Sequence, residues 1–462
     1  MKRLIYKKLS FGLLLSFFLT SCEDFLEVEA PNHKIVSETV FDNDATAISS
    51  MTGIYNQLFN SAHFSNGGEN SVTVLAGLSS DNLRGVRGGR DLLLLEFDEH
   101  RILPDNSRNL SLWSSAYNII YMINSLLEGV ENSSGISQSI HATLEGEAKF
   151  IRAFTYFYLV NLYGDVPLII TTDYRQNSLA TRVEQELIYH QILLDLSEAI
   201  ELLEDEYRDG DRTRVNRFAA LALLARVNLY LENWEEAERL SDIVLSNTSD
   251  YELIDDLNEA FLANSKEALW QISPIGRGGG LSHTHEGNTF IFNPLFYTIT
   301  KVGLTEELVE TFDNDDKRLT NWIQYHAVTD NYYAYKYKIW NSMESITEQS
   351  MVLRLAEQYL IRAEARARQN NIAEALADLD VIRERAGISL LSDTGHNISQ
   401  NEILRQVLEE RRKELFTEWG HRWLDLKRTG MISSVLGIDE LLFPIPEEEL
   451  LKNPNLVQSP GY

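Results

Sequence analysis

One cysteine, Cys22, stands in 462 residues, so no disulfide can close within the chain. Basic residues are scarce as well: 41 Lys and Arg face 69 Asp and Glu, a formal net charge of −28. Such a chain lacks the basic face that counterion release from nucleic acid requires, and an anionic membrane surface would repel it. The acidity names no ligand by itself; it favours solubility. Apolar runs of membrane-spanning length are missing, since the stretch from Leu9 to Leu19 is too short for a span. Catalytic motifs are missing too. No Gly-x-Ser-x-Gly elbow or zinc-protease pattern occurs, and the glycines of "GRGGGLSHTHEG" are not followed by Gly-Lys-Ser/Thr. The expectation is a protein that is not an enzyme, does not bind nucleic acid and carries no cofactor.

What is present begins at the N-terminus. Lys2, Arg3, Lys7 and Lys8 precede the apolar run, and Leu19-Thr20-Ser21-Cys22 is followed at once by Glu23 and Asp24. A basic start, a short apolar core and small residues at a cut site make a secretory signal. Ending in cysteine, the segment resembles a bacterial lipobox, which implies that Cys22 takes a diacylglycerol and becomes the first mature residue. Residues 1–21 are then a signal peptide and 22–36 a tether, and the protein is expected to be anchored to a membrane without crossing it. Acidic residues directly after the lipid cysteine resemble those that send lipoproteins to the cell surface in Gram-negative bacteria of the Bacteroides type.

The body of the chain reads as helical. Leu353–Gly387 carries Ala363, Ala367, Ala375, Leu376, Leu379 and Ile382 at three- and four-residue spacing on either side of Gln369-Asn370-Asn371, the pattern of two amphipathic helices meeting at a tight turn. A shift of 138 residues lays Ala225, Asn233, Ala237 and Val244 on Ala363, Asn371, Ala375 and Ile382. Two copies of one hairpin are therefore expected, with alanines allowing close helix approach as in a tetratricopeptide repeat, and each needing a neighbour to stack on. Further helices are expected over about Ser37–Asn60 (Ser37 as cap), Leu112–Val130, a stretch stopping at Gly164, about Val183–Leu203, and from a Ser399/Glu402 capping box to near Gly420. His63–Asp105 loses helical periodicity, is punctuated by glycines, and carries Asp81, Asn82, Arg84, Arg87 and Arg90. The segments "RAFTYFYLVNLYGDVPL", "RVNRFAALALLARVNLYL", the second hairpin and the closing "LLFPIPEEELLKNPNLVQSPGY" together resemble the SusD/RagB family of outer-membrane nutrient-binding lipoproteins.

That resemblance implies a mostly α-helical, SusD-like fold of about four tetratricopeptide-like hairpins, with loop and short-strand insertions carrying the ligand face. Residues 37–260 form an N-terminal and 261–462 a C-terminal region of one compact unit. It also implies that the protein captures a glycan and lids a SusC-like TonB-dependent transporter, and that the ligand site lies on the inserted loops, His63–Asp105 and Ser273–Trp340. The residues themselves add an aromatic segment. Trp322, Tyr325, Tyr332, Tyr333, Tyr335, Tyr337 and Trp340 are seven aromatics in 19 residues. Tyr333, Tyr335 and Tyr337 alternate as on a strand, and flat rings with polar tips suit sugar faces. The candidate ligand-binding residues are therefore Trp322, Tyr333, Tyr335, Tyr337 and Trp340, with Asp81, Asn82 and Arg84. Peptide cargo is the alternative, since Arg84, Arg87, Arg90 and Arg101 equally suit acidic sugars or carboxylates. A surface-anchored hydrolase is a rival that would need paired carboxylates across a cleft. Glu409, Glu410, Arg411, Arg412, Glu414, His421 and Asp425 read as mutually paired structural charges. His283 and His285 could offer metal nitrogens but read better as a solvated loop.

Overall fold

The computed structural model describes residues 40–86, 91–276, 278–293, 299–394, 398–437 and 442–462. Cys22, the tether, Ser37, Arg87 and Arg90 lie outside them. In chain order, the elements used below are α1 (Asp44–Asn60), α2 (Val72–Leu78), β1 (Leu83–Gly85), α3 (Leu92–Asp98), α4 (Ser107–Glu131), α5 (Gln138–Tyr163), β2 (Val166–Pro167), β3 (Arg182–Val183), α6 (Gln185–Leu202), α7 (Arg217–Tyr230), α8 (Trp234–Ser246) and β4 (Ala268–Ile272). They continue with α9 (His285–Phe290), β5 (Val302–Leu304), β6 (Ile323–His326), β7 (Asn331–Ala334), β8 (Ser350–Arg354), α10 (Leu355–Arg368), α11 (Ile372–Ala386), α12 (Gln400–Glu414) and α13 (His421–Arg428).

Helices α4 to α8 and α10 to α12 pack each on the next in a row. From Phe150 to Val160 every residue of α5 is buried, so this helix is the spine of the row. Its one internal cation, Arg152, is held by Asp195 of α6 through bonds of 2.8 and 2.7 Å. Gly164, at φ 73°, ends the helix, and the chain turns into the short β2–β3 ladder.

The 138-residue shift holds in three dimensions. It carries the bounds of α7 onto those of α10 and the start of α8 onto that of α11. The turns match residue for residue: Glu232 and Asn370 take φ of 59° and 66°, and the amides of Asn233 and Asn371 donate to carbonyls five residues back at 2.9 and 2.8 Å. Ala225, Ala237, Ala363 and Ala375 have no exposed surface. Although far apart in sequence, the two hairpins stack directly, α8 against α10, and buried Arg226 of α7 reaches Glu357 of α10 at 2.7 Å.

Several boundaries differ from the sequence reading. Helix α1 is capped by Asn43, which accepts from the Thr46 amide at 3.1 Å; Ser37, the expected cap, lies outside the described residues. The segment 63–105 holds α2, β1 and α3, with Ser71 and Asp91 as caps. Ser399 does cap α12, accepting from the Glu402 amide at 3.3 Å, but the Glu402 carboxylate turns to Arg405 and Gln406, so the box is half made. Helix α12 stops at Glu414, six residues early. Beyond it Thr417, Trp419 and Gly420 adopt positive φ so that the Trp419 indole can donate to the Met351 carbonyl at 2.8 Å and Glu418 can face Arg354. A Cβ on Gly420 would stand 2.6 Å from the Ala76 side chain, so the close approach of this turn to α2 requires glycine.

Candidate functional site

The two insertions expected to carry the ligand meet in one antiparallel sheet of order β1-β5-β7-β6. Arg84 stands opposite Gly303, and Tyr325 opposite Tyr332. Beside it Thr284 caps α9 by accepting from the Gly287 amide at 3.1 Å. Gly287 lets α9 lie on the segment leading to Trp340, for a Cβ there would come within 2.3 Å of the Ile339 carbonyl oxygen. The Asn288 amide donates to the Trp340 carbonyl at 3.2 Å and ties the two segments together. Between them opens a cavity of about 400 Å³, lined by Trp340, His285, Asn288, Thr300, Lys301 and Glu69 among others.

The polar wall of this cavity is fixed by ion pairs. Glu69 accepts from Lys301 at 2.8 Å and Arg108 at 3.1 Å, and Lys301 also reaches Asp91 at 3.3 Å. Burial opposes ionisation of Asp91, but Arg108 and Lys301 hold its carboxyl below the usual range. The His285 ring lies 4.6 Å from that of Phe59. A half-buried indole, an imidazole and an amide thus face a concave space whose charges are internally neutralised. Such a lining can stack on an apolar ring face and hydrogen-bond hydroxyls. The carboxylate in it, Glu69, is committed to two cations. Among the described residues, no group of three or more His, Cys, Asp or Glu is placed to hold a metal ion.

Of the residues named from the sequence, Trp340 lines this cavity. Tyr333 is half-buried against Phe292, ring centroids 5.3 Å apart, and Tyr335 packs edge-on to it at 6.2 Å with the Lys338 ammonium 4.3 Å above. Two aromatics must be removed from the candidates. Trp322 has no exposed surface, and its indole donates to the Leu257 carbonyl at 2.9 Å. Tyr337 is 7 % exposed, and its hydroxyl accepts from the Met351 amide at 2.8 Å. Trp322 closes a short helix, Lys317–Trp322, and Tyr337 lies past the end of strand β7. The strand ends at Ala334, and the Tyr335 amide leaves the ladder to donate to the Trp322 carbonyl at 2.7 Å.

Asp81 and Asn82 are likewise corrected. Asp81 accepts two bonds from Arg422, at 2.6 and 2.8 Å, and the Asn82 side chain accepts from Arg412 at 2.9 Å, so both clamp the loop onto α12 and α13. Arg84 donates to the Asn331 side chain at 3.0 Å and braces the sheet. His283 is buried, and its Nδ1 accepts from the Ser342 amide at 3.0 Å, which replaces the solvated loop expected there. The charged run of α12, Lys413 apart, is paired: Arg411 with Asp425, Arg412 with Asp81, Glu410 with Arg318, and Glu414 with Arg318, Arg354 and Arg385. The sequence reading missed Glu69, Asn288 and Lys301 as cavity residues, and the half-exposed Tyr325, whose ring sits 5.0 Å from that of Tyr332. Tyr325 and Tyr332 stood in the aromatic run; nothing local marked the others.

Comparison with known proteins bears on the whole chain. Residues 24–229 match a family described as "Starch-binding associating with outer membrane", and residues 330–439 match the SusD family. A SusD-like protein of Formosa agariphila is 27 % identical, the alignment covering 98 % of this chain and 99 % of that one. A SusD superfamily protein of Bacteroides vulgatus superposes with a TM-score of 0.80 at 21 % identity, over 91 % of this chain and 99 % of the other. A laminarin-binding SusD-like protein superposes at 0.75 with 23 % identity, over 91 % and 100 %. The structural likenesses establish the fold, and the two family matches lie in order along it, one on either side of the β4–β8 ribbon's first strand. The chain belongs to the SusD/RagB family.

Proposed function

We propose that this protein binds a glycan in the cavity beside Trp340 and, anchored through Cys22 at the outer face of the outer membrane, delivers it to a SusC-like TonB-dependent transporter. The observation that carries the reading is the cavity itself: an indole and polar side chains converge where the two inserted segments meet. Its volume of about 400 Å³ is within the usual range for small-ligand sites. The family's starch-binding description and the laminarin-binding relative support a glycan as cargo. Neutralised charges around Glu69 favour a neutral sugar over an acidic peptide at this place. The role is capture without cleavage. Glycoside hydrolysis uses two carboxyl groups across the bond, and among the described lining residues Glu69 is the sole carboxylate.

Affinity electrophoresis tests this. The lipid-free protein, residues 23–462, should be retarded in gels containing at least one neutral polysaccharide such as laminarin or starch, and Trp340→Ala should migrate as in an empty gel. No retardation by any polysaccharide, or equal retardation of the variant, counts against the site.

A further inference from the structure

A second cavity, of about 570 Å³, opens elsewhere, between α12, α13 and the end of α10. Its lining is basic in a chain whose net charge is −28: Arg368, Arg405, Arg412, Lys413 and Arg422 face a single lining carboxylate, Glu409. The pairing around it is uneven. Arg405 is balanced on the rim by Glu402 and Glu409. Arg412 and Arg422, by contrast, share one carboxylate, Asp81. Arg368 lies over the Trp234 ring at 5.2 Å and makes no ion pair among the described residues. Lys413 is the sharpest case. It is 9 % exposed, lines the cavity, and has neither an ion pair nor a side-chain hydrogen bond among the described residues.

Cationic charge gathered in a cleft with too few carboxylates to match it is characteristic of sites that take an oppositely charged ligand. The rest of the lining combines apolar Leu404, Leu408 and Met431 with Thr311, Asn401 and Thr429. A body with a C–H face would pack there while its charge meets the cations. Guanidinium pairs offer forked donors suited to two oxygens of one group.

We propose that this cavity is an oxyanion site, taking a carboxylate, sulfate or phosphate borne on a body about the size of a sugar ring, with Lys413 as its ionic anchor. It is separate from the Trp340 cavity and shares no lining residue with it.

The test is a thermal-shift titration of the lipid-free protein with sodium glucuronate, glucose 6-sulfate and inorganic phosphate, each against sodium chloride of equal ionic strength and against glucose. The melting temperature should rise saturably with at least one oxyanion and with neither control. In Lys413→Met, which removes the charge but keeps a side chain of similar length, the apparent affinity should fall at least tenfold. Arg368→Gln, an exposed change that leaves the fold intact, should lower it severalfold. A response to glucuronate or glucose 6-sulfate supports the proposal, and a response to phosphate alone overturns the part of it that gives the anion a sugar-sized body. Failure of all three anions to exceed chloride overturns the proposal. So does an unchanged titration in both variants. Retardation by neutral polysaccharide is read separately on the same proteins and should be untouched, which keeps the two sites distinguishable.

Discussion

Arg354 is the residue on which the stack of hairpins depends most, and Arg354→Met is the perturbation that tests this. It stands where β8 runs into α10, 1 % exposed. Its guanidinium donates to Glu267 at 2.8 Å, to the Glu414 side chain and carbonyl at 2.6 and 2.7 Å, and to Glu418 at 2.7 and 2.9 Å. Arg318, Arg385 and Lys336 also bind these acids, so removal of Arg354 leaves the cluster short of one positive charge without emptying it. Truncating one member of a buried ion cluster costs about 3–5 kcal/mol, because the charge left behind stays desolvated. The loss should be read from urea unfolding at pH 7 and again at pH 5. Burial opposes ionisation of Glu418, and Arg354 and Lys336 overcome it to hold its carboxyl below the usual range. In the wild type this group therefore stabilises the fold above its unfolded pKa, and that contribution is lost as pH falls through the folded value. Without Arg354 the Glu418 pKa rises, the group takes up a proton in the folded state, and the deficit shrinks at pH 5. A loss below about 1 kcal/mol at pH 7 would refute the reasoning, as would a deficit that grows on acidification.

Other outcomes follow from the same structure. Ala363→Trp or Ala375→Trp should destabilise by roughly 1–3 kcal/mol or more through overpacking, since both alanines sit fully buried in the second hairpin's core; unchanged melting would mean that the helices do not meet there. Burial, with Arg226 and Arg411 nearby, holds His421 well below its ordinary value, so the folded protein stays neutral at this site while the unfolded chain protonates near pH 6.5. Stability should therefore fall as pH drops below that point, and His421→Gln should remove about 1.4 kcal/mol per pH unit of that slope between pH 6 and 5. Cys22→Ala should abolish palmitate labelling in the native host, and continued labelling would remove the anchor from the account.

Legibility in the sequence followed the range of the interaction. The two hairpins were legible because their turns and alanines are local and repeat at a constant shift, down to the positive φ of Glu232 and Asn370. Helix starts were less so, because Asn43 and Asn106 compete as caps with other polar residues near them. The loops that carry the cavity were identified, and Trp340 with them. Trp322 and Tyr337 were misplaced because composition records that a segment is aromatic, whereas burial depends on Leu257 and Met351, which lie far away in the chain or on another strand. Asp81 and Asn82 were misread for the same reason, their partners being more than 300 residues away on α12 and α13. Glu69, Asn288 and Lys301 carry no local pattern; they come to line one cavity only when the sheet closes.

The central claim, that the Trp340 cavity holds the glycan, is tested most directly by calorimetric titration of Trp340→Ala with the polysaccharide that retards the wild type, alongside its melting curve. Loss of a stacking anchor should cost about 2 kcal/mol, roughly thirtyfold in affinity, while the melting temperature stays within a degree or so of wild type, because Trp340 is half-buried and outside the core clusters. Wild-type affinity in a folded Trp340→Ala protein would contradict the account.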